Sequence, residues 1–365
     1  MSLTPQNCQY PLPIEIDDLN YYHHEQSLPL ESGRQLPHFT VAYHTYGQLN
    51  TSRDNVIWVF HALTANSEVA DWWSGLFGPG RILDPEQYFI VCPNILGSCY
   101  GTTGARSINP ETGVAYGMDF PLITIRDMAK VHECLRAHLG IEKIHLALGG
   151  SCGGHQIQEY TWSFPERVRQ MAMLVTSPKE TAWAISIHEA GRMSIEADPS
   201  HRENTDAAGS KGLQAARAMG LLGYRTIQAY IDTQTDLEEK MDGFKAASYV
   251  RYQGLKLDRR FYTHCYWYLL KALDSHDIGR GRGGAAHALS QINVPALVIG
   301  IDTDMLIPPM QQKFIVEHLP KAVYREIHSK YGHDGFLIES EQINQIIGDW
   351  ICAYSEKEDC NFVNG

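Results

Sequence analysis

The chain has no cysteine pair spaced Cys-x-x-Cys; its eight cysteines are scattered over 365 residues. This argues against a disulfide scaffold or a zinc ribbon, and reads as the reduced thiols of a cytoplasmic protein. Basic charge is scarce, with 30 Lys and Arg against 42 Asp and Glu and a net charge of −12. Nucleic acid is therefore not expected as the main partner, because phosphate binding needs a basic surface. An anionic small substrate would need a local cationic pocket. No apolar run reaches membrane-spanning length, so no membrane association is expected. Residues 1–8 lack a basic stretch followed by an apolar one, so no secretory signal is expected. Internal repeats and low-complexity tracts are missing, and no group of metal-ligating residues stands out.

What remains is a soluble composition, 44% hydrophobic and 20% charged, on a chain long enough to bury a large core. Short β-rich runs alternate with helical stretches, which predicts an α/β fold with a mostly parallel central sheet. The strand candidates are residues 56–60, 88–92, 144–148, 171–175 and 296–300, with a more polar one at 323–327. Asp127 reads as a helix N-cap and Gly140 as the matching C-cap. After about Pro178 the pattern turns helical and stays so to about Gly284. The run Gly279-Arg280-Gly281-Arg282-Gly283-Gly284 reads as a linker back to the sheet. Residues 1–180 and 288–365 are therefore expected to form the core domain, and residues 181–287 an inserted helical lid domain.

The run 144–148 leads into Gly149-Gly150-Ser151-Cys152-Gly153-Gly154, and a helical segment follows. A serine between glycines at a strand-to-helix corner is the nucleophile elbow of the α/β-hydrolase fold. Serine needs a neighbouring base, and the base needs an orienting carboxylate. In this fold they follow in the order Ser, Asp or Glu, His. His333, in Gly332-His333-Asp334-Gly335, lies in the right place. For the acid, spacing leaves Asp302 and Asp304 open. Acyl transfer also needs two donors at the developing oxyanion. The backbone N–H groups of Cys152 and Leu63 are the candidates, with Leu63 in His61-Ala62-Leu63-Thr64 after the first strand. The Cys152 side chain reads as a small buried group, not a nucleophile.

With these residues in place, the chain resembles the homoserine O-acyltransferases, chiefly those that use acetyl-CoA. The likeness spans nearly the whole sequence. It rests on His61-Ala62-Leu63-Thr64, on residues 94–104 and 107–113, on residues 120–128, on Gly212-Leu213 with Ala215-Ala216-Arg217, on Tyr224-Arg225-Thr226, on residues 273–277 and on residues 331–337. The resemblance implies the triad Ser151, Asp304 and His333. It implies Arg225 and Asp334 as binders of the acceptor's carboxylate and ammonium. It further implies acetyl-CoA as co-substrate with no bound cofactor, L-homoserine as acceptor, a role in methionine biosynthesis, and a homodimer. A succinyl donor, a serine acceptor, a plain esterase and a non-catalytic binding protein are the alternatives. Cys152, His155, Ala65, Asn66, Ala105 and Arg106 depart from the usual family residues. They lie near the expected acyl and acceptor pockets, so they bear on substrate choice. Arg280 and Arg282 fit a linker, with contact to CoA phosphates a further possibility.

Overall fold

The computed structural model describes residues 12–363; residues 1–8, read above for a signal, lie outside them. Ten strands are formed in chain order: β1 (Asn20–His24), β2 (Leu28–Pro29), β3 (Gln35–Leu36), β4 (Phe39–Tyr46), β5 (Val56–Phe60), β6 (Phe89–Pro93), β7 (Ile144–Gly150), β8 (Met171–Leu174), β9 (Ala296–Ile301) and β10 (Ala322–Ile327). Strands β2 and β3 form a separate small hairpin. The other eight form one sheet in the order β1-β4-β6-β5-β7-β8-β9-β10. Only the β1–β4 and β4–β6 pairs are antiparallel.

All six predicted strands are present, with ends shifted by at most two residues. Every residue of β5 and β9 is buried. Such strands carry apolar side chains on both faces, because helices cover both sides of a parallel sheet. This is why they read as unbroken apolar runs. The antiparallel edge was not anticipated. In β1, Asn-Tyr-Tyr-His-His shows a half-exposed pattern with little apolar alternation.

The helix Ile125–His138 begins before the expected Asp127 cap. Thr124 is the N-cap: its Oγ1 accepts the Asp127 N–H, and Asp127 accepts the Thr124 N–H at 3.1 Å. Asp127 thus serves from inside the helix as the second half of a capping box. Gly140 sits one residue past the C-cap Leu139, at φ 63°, where a left-handed residue ends the helix.

Between β8 and β9 run the helices Ala182–Glu196, Ser210–Tyr224, Ile227–Gln234, Lys245–Asp258, Thr263–Asp274 and Ala285–Ser290. No strand interrupts them among the described residues. The linker arginines form ion pairs: Arg280 with Glu31 and Arg282 with Glu159, each at 2.7 Å.

Candidate active site

Ser151 sits at the corner between β7 and the helix Cys152–Ser163, with φ 55° and ψ −123°. A non-glycine residue is held there only when its surroundings over-determine it. The sheet supplies that constraint, since the Ser151 N–H donates to the Leu174 carbonyl of β8 at 2.9 Å. The flanking glycines are required by close approach. A Cβ on Gly153 would lie 2.0 Å from the Phe60 carbonyl oxygen, and one on Gly149 2.6 Å from it.

His333 Nε2 lies 2.9 Å from Ser151 Oγ, and its Nδ1 lies 2.7 Å from Asp304 Oδ2. The other Asp304 oxygen accepts the N–H groups of Leu306 and Ile307, both at 2.9 Å. Asp304 is thus buried but fully bonded, and it fixes the imidazole with Nε2 toward the serine. Asp302, which spacing alone did not separate from Asp304, points to the surface and meets His328 at 2.6 Å. Burial pushes the His333 imidazole toward its neutral form. The charge and hydrogen bond of Asp304, with Asp334 and Glu180 beyond, outweigh that and leave its pKa raised above 6.5.

The loop after β5, which carries Leu63, is held by a residue the sequence reading left without a role. His61 is fully buried; its Nδ1 donates to the Ala62 carbonyl at 2.8 Å, and its Nε2 accepts the Ile95 N–H at 3.1 Å. Burial lowers its pKa to about 4, so it stays neutral and serves as a clamp. Gln156 of the nucleophile helix adds a bond to the His61 carbonyl at 3.2 Å. Among the described residues, no acceptor takes the N–H of Leu63 or Cys152. The Cys152 thiol is buried, which pushes its pKa up to about 12, so it does not offer a thiolate.

A cavity of about 430 Å³ opens over Ser151. Leu63, Glu180, His188, Arg217, Tyr224, Lys256, His333 and Asp334 are among its lining residues. Arg225 is not. Its Nε donates to Asp334 Oδ2 at 2.9 Å, and its guanidinium lies 5.6 Å from the Tyr249 ring centre. The expected acceptor pair is thus an ion pair with each other, and only Asp334 reaches the cavity. Two arginines line the cavity: Arg260, whose guanidinium donates to the Thr64 carbonyl and the Tyr100 hydroxyl, and Arg217, which has no carboxylate in ion-pair contact among the described residues and lies 5.5 Å from the Tyr224 ring centre. A signal was available: residues 217 and 224 are two turns apart on one helix and therefore share a face. Among the described residues, no group of three or more metal-ligating side chains is found.

A strained serine after a central parallel strand, a buried His–Asp pair beside it and two unpaired N–H groups are the features of an α/β-hydrolase-fold enzyme. The family model described as "alpha/beta hydrolase fold" matches residues 55–340. A homoserine O-acetyltransferase of Cyclobacterium marinum is 48% identical over 93% of this chain and 97% of its own. One from Trichormus variabilis is 42% identical over 91% of this chain and 93% of its own. The crystal structure of the Bacillus anthracis homoserine O-acetyltransferase superposes with a TM-score of 0.84 at 28% identity, covering 91% of this chain and 98% of that one. The chain belongs to the homoserine O-acetyltransferase family.

Proposed function

We propose that this protein transfers the acetyl group of acetyl-CoA to the hydroxyl of L-homoserine, in two steps through an acetyl-Ser151 enzyme. His333 takes the Ser151 proton as Oγ attacks the thioester carbon. The N–H groups of Leu63 and Cys152 hold the oxyanion. The C–S bond breaks, His333 returns the proton to sulfur, and CoA leaves. Homoserine then enters, and His333 takes its hydroxyl proton. The alkoxide oxygen attacks the acyl carbon, Oγ departs and recovers the proton, and O-acetylhomoserine is released. No bound cofactor is needed.

The observation that carries this reading is the relay Asp304–His333–Ser151 opening into a cavity that holds an unpaired arginine. Arg217 offers its guanidinium to the acceptor carboxylate, a charge-assisted contact. Arg225 positions Asp334, and Asp334 faces the acceptor's ammonium end. The helices between β8 and β9, residues 181–287 in the domain reading, roof the cavity and limit water's access to the acyl-enzyme. The cytoplasm suits the six cysteines that are free thiols among the described residues. Among the described residues, no helix is long and apolar enough to cross a membrane. A homodimer fits the exposed apolar side chains of Leu222, Ile227, Ile231, Leu237 and Met241 on the helical segment.

The decisive assay crosses acetyl-CoA and succinyl-CoA with homoserine and serine. Acetyl transfer to homoserine is expected to dominate. Product with serine alone, or acetyl-CoA turnover that is indifferent to any acceptor, overturns the proposal.

A further inference from the structure

The cavity carries more positive charge than the chemistry at Ser151 and the acceptor carboxylate use. Arg217, Lys256 and Arg260 all line it, and among the described residues none stands in ion-pair contact with a carboxylate. The chain as a whole is at −12, so this cluster is local and not part of a generally basic surface.

The three cations differ in depth. Arg217 is the inner one: its guanidinium lies 5.5 Å from the Tyr224 ring centre, and that ring lies 6.2 Å from the His333 imidazole. Lys256 is in the last turn of the helix Lys245–Asp258, and Arg260 lies just past its end. Lys256 is exposed and Arg260 half-buried. Arg260 Nη1 donates to the Thr64 carbonyl at 2.6 Å and to the Tyr100 hydroxyl at 2.7 Å. This fixes the guanidinium where the helical segment meets the loop that carries Leu63, and leaves Nε and Nη2 without a partner among the described residues. Carboxylates line the cavity too, but they do not compensate this pair. Asp334 is paired with Arg225 at 2.9 Å, Glu180 is buried, and the exposed Asp71 is in ion-pair contact with neither Lys256 nor Arg260.

Two neighbouring cations repel each other, and an anion that joins them relieves the repulsion. Acetyl-CoA is such an anion. It carries a pyrophosphate and a further phosphate on the ribose, and its pantetheine arm holds them well away from the thioester. With the thioester at Ser151, the phosphates lie toward the exposed end of the cavity, where Lys256 stands. We infer, on the acetyl-CoA donor proposed above, that Lys256 and Arg260 form the binding site for the donor's phosphate groups. Arg260 offers a planar fork of N–H groups and Lys256 a mobile point charge, and both suit phosphate oxygens.

The test compares two donors, acetyl-CoA and S-acetylpantetheine, which has the same thioester but no phosphate. In the native enzyme, kcat/KM is expected to favour acetyl-CoA, and added salt should erode that preference. Lys256→Ala should shrink it by about 10-fold, through the KM for acetyl-CoA, with kcat/KM for S-acetylpantetheine unchanged. Arg260→Gln should shrink it at least as much. Because Arg260 also holds Thr64, this variant should slow both donors as well, and the ratio separates the two effects. If it does not fold, Lys256→Ala, at an exposed position, decides the matter alone. Arg251→Ala removes an exposed cation of the same helix that does not line the cavity, and should leave the preference in place. A preference unchanged in Lys256→Ala, an equal loss in Arg251→Ala, or a native enzyme indifferent to the phosphates overturns the inference. Failure of the parent proposal looks different: the native enzyme would then acetylate homoserine from neither thioester.

Discussion

The two walls of the cavity are built in different ways. The nucleophile wall is backbone: Ser151 at a sheet corner, the N–H groups of Cys152 and Leu63, and glycines pressed against the Phe60 carbonyl. Its support, β5, is wholly buried. The acceptor wall is side chains, with Glu180, His188, Arg217, Tyr224 and Lys256 brought in from separate helical segments. The outer surface of that wall leaves Leu237 and Met241 almost fully exposed. On the proposed function, one wall carries the reaction in a few adjacent residues, and the other carries the substrate in residues that meet only through packing. This is why the fold carries many chemistries while the elbow stays constant.

The sharpest break of that contrast is on the nucleophile wall. Ser151→Ala should lower kcat/KM by roughly 10⁴-fold or more, read as CoA release from acetyl-CoA in the presence of homoserine. Thermal unfolding should shift little or upward, since alanine removes only a hydroxyl. Full activity in this variant would remove Ser151 from the mechanism.

On the acceptor wall the effects should be smaller and confined to the second substrate. Arg217→Ala should raise the KM for homoserine by about 10- to 100-fold, the size expected for a charge-assisted contact. Arg225→Ala would act through Asp334 and should cost less than Arg217→Ala. If Arg225→Ala costs more, the acceptor carboxylate lies at Arg225 and the assignment to Arg217 falls.

Those two arginines show what could be read from sequence and what could not. The nucleophile wall was legible because its geometry needs particular residues in a row. Only small residues fit beside Ser151, and the strands on either side are apolar at every position because both faces are covered. The acceptor wall had no such row. Arg225 stands in a motif and reads as an acceptor binder; it follows the helix end, and its guanidinium meets Asp334. Glu180, in Pro178-Lys179-Glu180-Thr181, reads as an ordinary polar helix start, and nothing local announces that it is buried. Strands β1 and β4 escaped for a related reason. Their burial is set by the long-range pairing of β4 with β6, and their side chains are mixed.

A pair of glycine substitutions tests the difference in stability. Gly153→Ala drives a Cβ into the Phe60 carbonyl, which cannot move without the sheet. A loss of about 1–3 kcal/mol or more is expected in urea unfolding. Gly191 lies within the helix Ala182–Glu196, and an added Cβ would meet Ala216 at 3.4 Å, an ordinary contact. Gly191→Ala should be neutral or should stabilise by up to about 1 kcal/mol through helix propensity. Equal destabilisation at both positions would show that the helical wall is as tightly specified as the sheet corner.

The smallest effect is where the two walls meet, at the His333 imidazole. It must be neutral to accept the serine proton. Its pKa is raised above 6.5, so it holds a proton to higher pH, and activity is lost as pH falls through that raised value. The acid limb of kcat/KM should therefore lie above pH 6.5. The negative groups responsible are Asp304, then Asp334 from the same loop and Glu180 from the helical side. Asp334→Asn removes one of them and should move the limb toward lower pH. Asp302→Asn, at the surface beside His328, should leave it in place. A limb that ignores Asp334 would mean the acceptor wall does not reach the base electrostatically, and the two walls would then be independent in charge as well as in construction.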